Sequence, residues 1–343
     1  MSKRAWVAGA LDRVGVLAPL LAVRARPWWP WQSLLVLTYH RVAAAGSGHD
    51  AGVVDATPEQ FDRQLGILRQ HFSLVGLDEL RAFRAGARLP PNPAVVTFDD
   101  GYLDNHDQAL PILLRHGVRA IFFVATGYIT DRRLFWWERI SYLTAATRRD
   151  RLAIQYPEAA EFPVRDEAGR QAAARALHAV VKQRRGLDLD RFLDGIVEAA
   201  GVPWSAAEER RQADALLMTW DHVRALRDAG MDVQSHTRSH RILKTMSPDD
   251  LERDLAAAKA DLERELDRPI TALAYPAGSS IADDAAVRAA VARAGYELGF
   301  TTSGAVNDLR KPLDFLDIAR RSIDMAVSDS FFRAMLAIPA LGH

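Results

Sequence analysis

From residue 34 onward the chain alternates short, nearly continuous apolar runs with amphipathic stretches, and this rhythm limits its fold more than any other feature. A run that is apolar at every position suits a strand covered on both faces, as in parallel strands joined by helices. Such runs occupy 34–39, 94–98, 119–125, 231–235, 270–275, 296–301 and 318–323. Between them, Thr57-Pro58-Glu59-Gln60 supplies an N-cap, a proline in the first turn and a glutamine placed to close a capping box. Phe61, Leu65, Leu68 and Phe72 then share one face, which predicts a helix over 58–71. Ser247-Pro248-Asp249-Asp250 opens a second amphipathic run that ends at Leu266. Seven strand segments with helical connections leave two α/β architectures, an open doubly wound sheet or a closed barrel.

One stretch, about 131–217, breaks the rhythm: it shows no convincing strand, while 172–182 and 189–199 read as helices. It is expected to be a helical insertion that shapes or covers a site. Residues 1–33 form a separate basic, Trp-rich segment, 34–325 the βα domain, and 326–343 a C-terminal helix. The apolar stretch 14–23 is too short to span a bilayer and is flanked and interrupted by charge, so a retained segment is expected rather than a secretory signal. Its basic residues and Trp28-Trp29-Pro30-Trp31 suit peripheral contact with a membrane interface. A helix packed on the domain, with the tryptophans plugging its base, accounts for them equally well. The corresponding expectation for location is the cytoplasm, peripheral to the inner membrane, with secretion left open.

The 343 residues carry 44 basic and 44 acidic side chains, a balance that argues against a nucleic-acid partner. There is no cysteine, so any metal must be held by His, Asp or Glu. Thr97-Phe98-Asp99-Asp100-Gly101 ends one strand segment with two adjacent carboxylates. One can bind a cation while the other takes a proton from water, although an isolated Asp-Asp-Gly is more often a turn or a cap. His236-Thr237-Arg238-Ser239-His240 ends another segment, with two histidines spaced to share one face of a helical turn. Alone, that spacing is weak. Parallel strands gather their C-terminal ends on one side, however, where Asp100, His236 and His240 would make a metal set with open positions. Tyr275-Pro276-Ala277-Gly278 ends a third segment and can present the Ala277 N–H to an oxyanion, and His40 ends the first with a ring suited to protonating a leaving amine.

Together these residues resemble the polysaccharide deacetylase family, carbohydrate esterases with a NodB homology domain. Thr97 to Gly101 matches that family's Thr-Phe-Asp-Asp-Gly motif, and His236 to His240 matches its His-Ser/Thr-x-x-His motif. The resemblance implies a distorted (β/α)7 barrel with the helical insertion added. It also implies hydrolysis of the N-acetyl group of N-acetylglucosamine-type units in a glycan. Asp99 becomes the general base, and Asp100, His236 and His240 become ligands of one divalent ion, zinc first. The third motif, Arg-x-Pro-Tyr, keeps only its proline here, so the arginine beside the base must come from elsewhere; Arg320 and Arg321 are the candidates, with Arg321 preferred. The late Leu-x-His motif is absent, and relatives that act on exopolysaccharide, with permuted motif order, point to His40 as the acid instead. Trp136-Trp137 could stack on sugars or serve as core. Two other readings are a deacetylase or deformylase of a lipid-linked sugar and a non-catalytic carbohydrate-binding barrel.

Overall fold

The computed structural model describes residues 3–24 and 32–338. The barrel strands are β1 (Ser33–Tyr39), β2 (Pro93–Phe98), β3 (Ile121–Val124), β4 (Asp232–Ser235), β5 (Ala272–Ala274) and β6 (Leu298–Thr301). The last, β7, comes in two pieces, Ile318–Ala319 and Arg321–Ser322. Each runs parallel to its predecessor. The two pieces of β7 carry the sheet round: Ile318 lies opposite Phe300 of β6, and Arg321 opposite Leu37 of β1. The choice between an open sheet and a barrel is thereby resolved as the distorted (β/α)7 barrel.

Although most of these strands are apolar at nearly every position, their side chains still alternate between two environments. Val36, Val95, Ile121, Phe123, Ala274, Phe300 and Ile318 fill the interior, whereas Leu37, Val96, Phe122, Val233 and Leu273 pack outward under the helices. The helix Pro58–His71 forms through the anticipated box: Gln60 N–H donates to Thr57 Oγ1, Thr57 N–H donates to Gln60 Oε1, and Phe61, Leu65 and Leu68 are buried.

Between β3 and β4, the helices Trp136–Ala146, Glu167–Gln183, Leu189–Ala200 and Ala206–Leu216 build a lobe with its own core of Phe135, Ile140, Leu177, Phe192 and Ile196. This lobe is not purely helical. Arg151–Ile154 and Ala160–Pro163 pair as an antiparallel hairpin, with Leu152 and Ile154 buried and their neighbours exposed. Four-residue strands carry too short an alternation to stand out in a sequence. Glu138 ties the lobe to the barrel, accepting from the His49 and Asp50 N–H groups and from the Tyr102 hydroxyl.

At the N-terminus, the helices Lys3–Arg13 and Leu17–Arg24 pack on the C-terminal helix Asp329–Ala337. Ala8, Leu17 and Leu21 are fully buried, Arg24 donates to the Leu336 carbonyl and Ser33 Oγ, and Asp12 pairs with Arg333. The packed-helix account therefore describes this hairpin, even though Trp6, Val7, Val14 and Val16 remain exposed. Trp28, Trp29 and Trp31 lie outside the described residues. Among the described residues no single helix is long and apolar enough to cross a membrane, and the two N-terminal helices meet at 86°. Leu21→Ala should lower unfolding free energy by about 2–4 kcal/mol in a urea titration. An unchanged midpoint would mean that the hairpin lies outside the cooperative fold.

Candidate active site and metal centre

The C-terminal ends of the barrel strands carry the chemistry-bearing residues, and the backbone there is unusual. Of seven non-glycine residues with positive φ among the described residues, four sit in these loops: Asp100 (75°), Thr237 (65°), His240 (50°) and Ala277 (56°). Such conformations cost energy and persist only where surrounding contacts enforce them. After β2, the Asp99 N–H donates to the Tyr39 carbonyl and the Ala125 N–H to the Asp100 carbonyl, so neighbouring strands clamp the turn. After β4, His236 to His240 forms a bend rather than the helical turn its spacing suggested. Asp254 holds this bend by accepting the Arg238 and Ser239 N–H groups at 2.9 and 3.0 Å, while the His240 N–H donates to Thr237 Oγ1. After β5, Ala277 and Gly278 are both left-handed, and a Cβ on Gly278 would fall 1.4 Å from Thr302 Oγ1. Glycine is required there.

These loops bring Asp100, His236 and His240 together, with one donor atom from each within 4.8 Å of the others. Asp100 Oδ1 lies 3.3 Å from His236 Nε2 and 3.2 Å from His240 Nε2, all largely buried. His236 Nδ1 is 2.9 Å from the Ala274 carbonyl, which can only accept, so the proton sits on Nδ1 and Nε2 offers a lone pair. Burial pushes the His240 ring below its ordinary pKa, towards the neutral form that binds metal. Asp100 Oδ1 is buried with no hydrogen-bond partner among the described residues. A carboxylate oxygen facing imidazole lone pairs is repulsive unless a cation lies between them, so this donor set fits a divalent ion.

Asp99 stands beside that centre. Its two oxygens receive Arg320 Nη1 and Nη2, each at 2.7 Å, and Arg320 Nη1 also donates to Thr97 Oγ1. Burial alone would raise the Asp99 carboxyl, yet Arg320, with His236 and His40, holds it below the ordinary carboxylate range. The expected preference for Arg321 is therefore corrected: Arg320 makes the contact. Strand alternation explains this, since Ile318 and Arg320 project into the barrel, while Arg321 faces outward and donates to the Met335 carbonyl.

His40, at the end of β1, lines the same cavity as Asp99, Asp100, His236, His240 and Ala277, whose volume is about 330 Å³. Its Nδ1 lies 3.0 Å from Asp55 Oδ2, and Asp55 also accepts the His40 N–H. Burial opposes charge on this ring, but Asp55, with Asp100 and Asp99, outweighs it and pushes the pKa up to about 10. Asp55 is a partner that motif reading missed. Its only signal is a carboxylate inside the short buried strand Val54–Ala56. Trp136 and Trp137 are both buried, the latter stacked on Phe135 at 4.4 Å and tilted against His240 at the same distance. Trp137 thus packs against His240, and both tryptophans still border the cavity.

The barrel and its mouth define a βα-barrel protein with a hydrolase-type centre of carboxylates and histidines. The chain belongs to the polysaccharide deacetylase family, whose profile matches residues 86–178 and 192–299. No curated protein matches it. Among solved structures it is similar to the Streptococcus pyogenes deacetylase PplD in complex with acetate, with 18% identity, 87% of this chain and 96% of that one covered, and a TM-score of 0.57. It is also similar to IcaB from Ammonifex degensii (19%, 91% and 97%, 0.55) and to the BpsB deacetylase domain from Bordetella bronchiseptica (17%, 86% and 97%, 0.51). At these identities the likeness shows the fold. Family membership makes the chain a hydrolase of the deacetylase class.

Arg320→Lys keeps the charge but loses the two-pronged contact, and should lower kcat by about 10²-fold with KM little changed. Arg321→Lys should leave kcat near wild type; the reverse pattern in steady-state kinetics would restore the original preference.

Proposed function

We propose that this chain removes the N-acetyl group from N-acetylglucosamine-type units of a glycan, releasing acetate and a free amine. The observation that carries this reading is the convergence on one cavity of three groups: the Asp100, His236, His240 donor set, the Arg320-held Asp99, and the Asp55-held His40. A divalent cation bound by the donor set, zinc by preference for two imidazoles and a carboxylate, would polarise the acetyl carbonyl and acidify water. The chain's own groups account for the proton movements. Asp99, kept ionised and oriented by Arg320, takes a proton from the attacking water. The Ala277 N–H, set by a left-handed turn, faces the oxygen that gains charge when the carbonyl carbon becomes tetrahedral. His40, protonated and oriented through Nδ1 by Asp55, gives its Nε2 proton to the departing amine as the C–N bond breaks. Past Leu187 and Arg241 the cavity meets a second groove of about 740 Å³, which supports a polymer as substrate.

Elemental analysis after identical dialysis should find about one divalent ion per wild-type chain and in Asp99→Asn, and none in His236→Ala. Acetate release by Asp99→Asn should fall by about 10²–10⁴-fold. Metal-free wild type after reloading, or an active Asp99→Asn, would overturn the reading.

The raised pKa of His40 sets a pH dependence. Activity should be lost on the alkaline side as pH approaches about 10, where the acid gives up its proton. The same sign holds for stability: the His40–Asp55 attraction is fully present below the ordinary histidine value and is lost as pH rises to about 10. Asp55→Asn removes the main raising charge and should move the alkaline limb of a kcat–pH profile to lower pH. An unmoved limb would detach His40 from the acid role.

A further inference from the structure

The proposed reaction explains the floor of the cavity but not its outer wall. That wall comes from the insertion. On the helix Glu167–Gln183, His178, Val181 and Lys182 stand at spacings of three and four and all line the cavity, and Arg184 follows directly. From the other side comes Arg241, next in chain to His240, with its Nη2 donating to the Leu187 carbonyl. Lys182, Arg184 and Arg241 therefore border one space of about 330 Å³. Apart from Asp99 and Asp100, the one carboxylate lining it among the described residues is Asp50, which accepts the Gly52 N–H. Arg184 is paired with the exposed Glu158, whereas Lys182 has no ion-pair partner among the described residues. Trp136, on the same wall, buries its indole N–H without a partner among the described residues. Lys182 and Arg184 also fall in the stretch 179–191, between the two ranges matched by the family profile.

We propose that this wall selects substrates carrying an anionic group, a carboxylate or a phosphate, within a sugar or two of the acetyl group that is removed. The inference rests on the deacetylase reading of the same site. The cavity is at the lower end of the ~300–1,000 Å³ typical of small-ligand sites, so a glycan seated with its acetyl group at Asp99 and Asp100 brings its neighbouring substituents to the lysine. The exposed Lys182 ammonium, with no ion-pair partner among the described residues, gains both charge attraction and a hydrogen bond from such a group, whereas a neutral sugar offers only the hydrogen bond. Arg241 joins the loop that carries His240 to the wall through its hydrogen bond to the Leu187 carbonyl.

Three probes test this on the full chain: a neutral N-acetylglucosamine tetramer, an oligosaccharide alternating N-acetylglucosamine with glucuronic acid, and N-acetylglucosamine 1-phosphate. Acetate release and equilibrium binding are both measured, on wild type, Lys182→Ala and Lys182→Arg. The expected result is that Lys182→Ala raises KM and Kd for an anionic probe about fivefold without changing kcat or the neutral tetramer's KM, and that Lys182→Arg restores both. Preference for the glucuronate probe assigns the anion to a polymer; preference for the phosphate probe assigns it to a sugar-phosphate carrier. If Lys182→Ala leaves Kd and KM for both anionic probes unchanged, the selectivity proposal is overturned while tetramer hydrolysis keeps the deacetylase reading. If no probe releases acetate yet anionic binding still depends on Lys182, the deacetylase reading fails and the anion site stands.

Discussion

Two carboxylates in consecutive positions, Asp99 and Asp100, are buried side by side at the mouth of the barrel, and the rest of the site is arranged around the cost of keeping them charged. Each has a different compensation. Asp99 receives a guanidinium in a flat, two-pronged contact from the far end of the chain. Asp100 receives no such partner and instead faces two ring nitrogens, an arrangement that a cation completes. Adjacent residues of one type thereby acquire separate surroundings, which the proposed reaction uses as a held base and a ligand. The backbone enforces the division, because the left-handed turn at Asp100 and Gly101 sends the two side chains in different directions.

Much of this was readable before any coordinates. The strand segments and the helix over 58–71 follow from apolar patterning and capping chemistry, which are local. The two motif stretches could be placed at strand ends by the same means, and parallel strands bring such ends together by topology. Three things were not legible, each for a physical reason. The partner of Asp99 depends on which way a side chain points from a strand that changes neighbours at Arg320, and motif spacing says nothing about that. Asp55 holds His40, and Asp254 holds the Arg238 and Ser239 N–H groups, from outside the motifs themselves, and a carboxylate that accepts backbone N–H groups has no signature of its own. The hairpin 151–163 is too short for its alternation to outweigh the helical signals around it.

The insertion lobe connects packing to chemistry. Its buried Glu138 fastens the 49–50 loop, its Trp137 rests against His240, and its outer helix borders the cavity. A segment with a separate hydrophobic core can vary in length and sequence without disturbing the barrel interior, because the two cores share few side chains. The lobe is thus free to tune what enters, while the barrel keeps the reacting groups in register.

The way β7 closes the barrel has a consequence for biogenesis. Arg320 sits at the joint where β7 leaves β6 and reaches β1, so β1 and β7 become neighbours only once residues 318–322 have been made. Contacts of such long sequence separation form late in folding. Until they form, Asp99 lacks its cation and its orientation, whatever the state of the histidines. A chain clipped before residue 318 keeps Asp100, His236 and His240 but loses the guanidinium that holds Asp99, so the two halves of the site depend on different lengths of chain.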